Sequence, residues 1–203
     1  MESLQACLYQ ISNALMIPTM VALLFLTAWM IVLLGGFIRE WVDRGKQRTA
    51  LSQSLNAIKG GPTQRERAWE ALKEARGGLP ERFYKDHGTW PSDELTRAKA
   101  VEDLELSVAR SMSTLSFITR VAPMLGLMGT LIPLGPALTG LATGNIKELA
   151  GNLVVAFTAT VLGILVGGCT YGMSLARRTW YNQDLSDLEF LSQKAVQGGQ
   201  HAA

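Results

Sequence analysis

The groups in this chain best placed to do chemistry are hydroxyls set among small residues. On a helical wheel of about 100° per residue, Thr119, Ala122, Gly126, Gly129, Thr130, Pro133, Ala137 and Gly140 share roughly a quarter to a third of the circumference. A second group, Asn152, Ala156, Ala159, Thr160, Gly163, Gly167 and Thr170, does the same. Opposite these faces stand bulky apolar side chains such as Phe157, Val161 and Leu165. Small residues let membrane helices approach closely, and Ala159, Gly163 and Gly167 form a small-xxx-small series. A threonine hydroxyl also donates and accepts hydrogen bonds where bulk water is scarce, which suits a pore lining. Periodicity leaves both readings open and favours packing.

Other reactive groups are sparse. Cys7 and Cys169 have neither metal-ligand spacing nor a partner at a plausible distance, so two unpaired thiols are expected. His87 and His201 are isolated, which argues for solvated surface residues and against a zinc site. No nucleophile, base and orienting residue share a motif, so no enzyme, cofactor or metal is expected. A formal charge of +2 is too small to imply nucleic-acid binding.

The elements that carry the hydroxyls are apolar. Hydrophobic residues make up 48% of the 203 and the mean hydropathy is positive, a combination unusual for a soluble chain. Residues 15–38, 121–146 and 149–176 are runs of 24, 26 and 28 without a charge. Since roughly 20 apolar residues cross the hydrocarbon core, each run can span a bilayer. No Lys or Arg precedes the first run, and it is longer than an ordinary signal-peptide core, so it is expected to persist as an anchor. Of the 19 Lys and Arg, none lies in 1–14, 15 lie in 39–120, one is Lys147 and three follow from Arg177. The bias persists at the flanks, with Arg39, Arg44, Lys46 and Arg48 after the first run and Arg177 with Arg178 after the third. The amino terminus is therefore expected outside and the carboxyl terminus inside.

The polar mass between the first two runs reads as helical. A break at Gly60, Gly61 and Pro62 precedes a short helix over about 64–76, ended by Gly77, Gly78 and Pro80. Ser92, Asp93 and Glu94 then mark the start of a helix that meets no Gly or Pro before Pro123. Its stripe of Val101, Leu104, Val108, Met112, Leu115, Ile118 and Ala122 keeps one face. Continued to Thr143, it would reach roughly 78 Å at about 1.5 Å per residue, far more than a bilayer. A turn at Gly144 and Asn145 makes the second and third spans an antiparallel hairpin, and helical character persists beyond Arg178 to Gly198 and Gly199. Pro18 lies near the outer end of the first span, and Trp41 at its inner interface. The layout is thus an all-α integral membrane protein: external 1–14, span 15–38, cytoplasmic helical region 39–120, spans 121–143 and 149–176, and a cytoplasmic helix and tail 177–203.

None of the three spans contains Asp, Glu, Lys, Arg or His. Ion and proton pathways through membranes usually use an ionisable residue, so this chain would need one from another polypeptide.

The stretches RVAPMLGLMGTLIPL (120–134) and FTATVLGILVGG (157–168) resemble the paired motifs of the MotA/TolQ/ExbB proton-channel family, a Gly-Thr-centred second span and a Thr-x-x-Gly third span. The match covers about 60 residues in the same order and topology. The resemblance implies a homopentameric ring enclosing the single-span helices of a dimeric B-type partner, whose Asp takes up and releases the ion. That ion would be H+, with Na+ the alternative. Carried over, Thr130 and Thr160 match the pore threonines, and ion flow would turn or rock the ring. The bacterial or archaeal cytoplasmic membrane is the implied location.

Three features depart from the ExbB/TolQ branch. Val155 stands where that branch has a Glu, Cys169 replaces a Pro, and the Tyr-Asn pair appears late as Tyr181 and Asn182. The chain therefore resembles a divergent branch. The competing reading is a non-conducting membrane scaffold that uses the same small faces for packing alone.

Overall fold

The computed structural model describes residues 2–59, 65–73, 78–89, 91 and 93–200. Six helices follow in order: α1 Glu2–Ala14, α2 Met16–Lys59, α3 Arg65–Lys73, α4 Gly78–His87, α5 Glu94–Ala142 and α6 Ile146–Gln200. No strand occurs among the described residues. Three helical stretches are long and apolar enough to cross a membrane, with mean hydropathies of 2.5, 1.6 and 2.2 over their most apolar windows. They contain the uncharged runs 15–38 and 149–176 and, of the run 121–146, residues 121–142.

The chain divides into two compact units, Met1–Leu34 with Thr114–Ser174, and Gly35–Ser113 with Leu175–Ala203. The first holds most of the apolar runs. Its amino-terminal segment, for which the sequence indicated no element, is the helix α1. Pro18 falls in the first turn of α2, where a missing N–H leaves no helical bond unmade. Thr19 donates from its Oγ1 to the carbonyls of Leu15 and Met16, both at 2.9 Å.

α5 and α6 form the expected hairpin. Gly144 turns the chain with φ +72°, a conformation that penalises any side chain with a Cβ. Asn145 caps α6: its Oδ1 accepts the Glu148 N–H at 3.2 Å while its Nδ2 donates to Glu148 Oε2 at 3.0 Å. α5 is continuous over 49 residues, about 74 Å at the helical rise, despite Pro123, Pro133 and Pro136. Asp93 caps its start, accepting from Thr96 N at 3.2 Å. Ser92 lies outside the described residues.

The second unit has its own core. Leu51 of α2, Ala68 and Leu72 of α3, Leu79 and Phe83 of α4, Ala100 and Leu104 of α5, and Leu188 and Leu191 of α6 are all buried together. Each buried Leu or Phe contributes on the order of 1.5–3 kcal/mol. Along α5, Val101, Leu104, Leu115, Ile118 and Ala122 are buried, so the stripe read from the sequence is the packed face. α4 is new. Gly78 and Pro80 read as stop signals, yet they open this helix, with Gly78 at φ +73° and Pro80 within the first turn. Helix α3 covers Arg65–Lys73, and the remaining positions of the predicted 64–76 lie outside the described residues.

Candidate functional site

In the first unit the two small faces meet each other. A Cβ on Gly163 would lie 2.8 Å from both the Ala122 carbonyl oxygen and the Gly126 Cα. A Cβ on Gly126 would lie 3.1 Å from the Ala159 carbonyl oxygen, and one on Gly129 would lie 2.6 Å from Ala159 Cβ. On Gly167 it would meet Pro123 Cγ at 2.7 Å. At Gly126 and Gly163 backbone therefore rests on backbone, while Gly129 and Gly167 make room for the Ala159 and Pro123 side chains. Pro133, Ala137, Ala156 and Ala159 are buried in the same unit, while Asn152 is half-buried. Phe157, Val161 and Leu165 point outward and are exposed, as the wheel required.

The hydroxyls on the seam differ in how they are satisfied. Thr119 Oγ1 donates to the Leu115 carbonyl at 2.8 Å and lies 3.1 Å from Thr170 Oγ1, which itself bonds back to the Val166 carbonyl at 2.8 Å. Thr130 Oγ1 donates to the Leu127 carbonyl at 2.7 Å. Thr160 does otherwise. Its Oγ1 is shielded from solvent and has no hydrogen-bond partner among the described residues. Leaving a buried hydroxyl unpaired costs about 1–3 kcal/mol, which a threonine usually escapes by bonding to a carbonyl one turn back.

The second unit holds polar features that the sequence did not announce. Arg44 of α2 makes a two-pronged contact with Asp184 of α6 at 2.5 and 2.8 Å, and donates to the Trp180 carbonyl at 3.1 Å. Both partners are buried. Arg177 donates from Nε to Glu40 at 2.8 Å. Between these pairs Phe37 and Trp180 stack, with centroids 5.4 Å apart and planes 6° from parallel. In the sequence Arg44 and Arg177 stand out only as orienting charges at the flanks of the runs. One signal was available: Trp180, Asp184, Leu188 and Leu191 share a helical face, and an acid in an apolar stripe requires a partner.

These groups follow the uncharged run 149–176. Burial holds the Asp184 carboxyl above its ordinary value even though Arg44 pulls it down. Asp187 is raised by burial against the pull of Arg48 and Arg44. Tyr181 is pushed up to about 12 by burial, with the Glu40 carboxylate adding to it. Cys7 and Cys169 are free and exposed. His87 is half-buried, with Nδ1 3.1 Å from the Phe83 carbonyl, and His201 lies outside the described residues.

Three long apolar helices, two of them closed into a glycine-rich hairpin, define an α-helical membrane protein. The family model of the MotA/TolQ/ExbB proton channel family matches residues 83–187, more than half of the chain. The protein belongs to that family. No curated protein matches the sequence.

Proposed function

We propose that the chain is the ring-forming subunit of a membrane motor driven by the ion-motive force, with H+ as the ion. In this reading five copies enclose a dimeric single-span partner that supplies an ion-binding Asp, because none of the uncharged runs here contains Asp, Glu, Lys, Arg or His. The carrying observation is Thr160. Its hydroxyl has no internal partner and is shielded in the single chain, so it can hydrogen-bond a carboxyl or a hydrated ion only where assembly opens this face, whereas Thr130 and Thr170 are already bonded to backbone. Thr130 stays in the proposed pathway by its match to the family motif. Family membership supports the assignment to this class of channel and motor subunits. The charge bias supports an inward-facing carboxyl terminus, and family membership supports a bacterial or archaeal inner membrane.

Thr160→Val, co-expressed with the partner, is expected to lower ion flux while the complex still assembles, since Val keeps the shape and removes the hydroxyl. Unchanged flux would remove Thr160 from the pathway.

A second reading has its own support. The small faces are accounted for by packing within one chain, so they do not by themselves require a pore. A non-conducting scaffold would show no flux in the wild type and undiminished recruitment of its partners. A neighbouring gene for a short single-span protein with an Asp near its start favours the motor.

A further inference from the structure

The second unit contains a cleft of about 980 Å³ lined by α2, α4, α5 and α6. Arg39, Arg82 and Arg177, from three different helices, face it. So do three acids, and their pairing decides the net charge. Glu40 is bonded to Arg177 at 2.8 Å, and Glu81 is paired with Lys85. Asp43 is the third. Neither Arg39 nor Arg82 has a carboxylate within ion-pair distance among the described residues. The cleft therefore offers two uncommitted guanidiniums against one remaining acid.

Guanidinium groups match phosphate oxygens through paired N–H donors. Ser111 and the start of α4 at Gly78 also line the cleft, adding a hydroxyl and the positive end of a helix. One wall is greasy as well. Val42 lines the cleft and is 76% exposed, and Ile38, one turn back on α2, is 50% exposed. Ile38 ends the uncharged run 15–38, and Trp41 beside it is 63% exposed. A phosphate site joined to an apolar track that leads into a membrane span has the layout of a lipid site, and interfacial Trp with basic pockets beside membrane helices commonly contact headgroups.

We infer that this cleft binds the phosphodiester headgroup of an anionic glycerophospholipid, with Arg39 and Arg82 on the phosphate and the acyl chains laid along Val42 and Ile38. The inference rests on the chain being membrane-embedded and not on its carrying ions, so a failed flux assay leaves it standing.

The test is native mass spectrometry of the full-length protein in detergent, titrated separately with phosphatidylglycerol, phosphatidylcholine and inorganic phosphate. The wild type should retain one phosphatidylglycerol per chain at least about tenfold more tightly than phosphatidylcholine, and inorganic phosphate should not displace it. Arg39→Gln with Arg82→Gln should weaken phosphatidylglycerol at least about tenfold, and Arg110→Gln, at an exposed position outside the cleft, should leave it unchanged. Asp43→Asn removes the remaining acid and should tighten it by about threefold, a gain that misfolding cannot imitate. Equal retention of the two lipids, an unaffected double variant, no tightening by Asp43→Asn, or displacement by inorganic phosphate would each overturn the assignment.

Discussion

Gly163→Ala adds a single carbon to the seam between α5 and α6, and its consequence can be worked out from distances. The new Cβ would lie 2.8 Å from the Ala122 carbonyl oxygen and 2.8 Å from Gly126 Cα. Carbon atoms pack best at about 3.5–4.0 Å, so the overlap with Gly126 is roughly 0.7 Å or more. Both obstructing atoms are backbone, so no rotamer change relieves the clash and the helices themselves must part. Parting also loosens the neighbouring contacts of Gly129 with Ala159 and Gly167 with Pro123. Overpacking of this kind costs about 1–3 kcal/mol. Gly168→Ala is the matched control, because its Cβ would meet nothing within 4 Å. There the substitution is expected to stabilise by about 0.5–1 kcal/mol through helix propensity. At roughly 2–4 °C per kcal/mol for a chain of this size, Gly163→Ala should lower the melting temperature by about 2–12 °C, and Gly168→Ala should raise it by about 1–4 °C. Tryptophan-fluorescence melts of the detergent-purified protein read both. Equal shifts in the same direction, or a stabilised Gly163→Ala, would refute the close backbone seam.

Two further perturbations probe the polar and capping interactions. Arg44→Met alone should destabilise by about 3–5 kcal/mol by stranding Asp184, whereas Arg44→Met with Asp184→Leu should be near neutral or stabilising, as denaturant titration of the two variants would reveal. Because Asp184 is raised in the folded state, its stabilising contribution is complete below the ordinary carboxylate range and is lost as pH rises through the folded value. Wild type should therefore lose ground to the double variant over that window, and the gap should stay constant above it. Asn145→Ala should cost about 1 kcal/mol in the same melts by removing the cap of α6, and a Gln at Glu148 should cost less because it keeps the reach to the cap.

The parts of the fold that were legible in the sequence are those set by local physics. Uncharged runs fixed the apolar helices, a 3,4 stripe from Val101 to Ala122 fixed the packed face of α5, and Gly144 with Asn145 fixed the hairpin turn. Helix α4 was missed because Gly78 and Pro80 end one helix as readily as they begin another, and only the chain that follows decides which. The site was half legible. Wheels identified the two small faces, but not that Gly163 sits on Gly126 and Gly129 on Ala159, since register between helices is a property of the pair. Nor could they tell Thr160 from Thr170 on the same face, whose hydroxyl bonds back to the Val166 carbonyl at 2.8 Å. The Arg44 and Asp184 pair joins residues 140 apart in sequence, and local periodicity carries no information over that distance.

The proposed motor requires that this chain house an ion pathway whose titrating group belongs to another polypeptide. The direct test is ion flux into vesicles reconstituted with the chain alone and with its co-purified single-span partner, under pH and sodium gradients applied separately. No flux is expected from the chain alone and proton flux from the complex, abolished when the partner's Asp becomes Asn. Conduction by the chain alone, or a correctly assembled complex that carries neither ion, would contradict it.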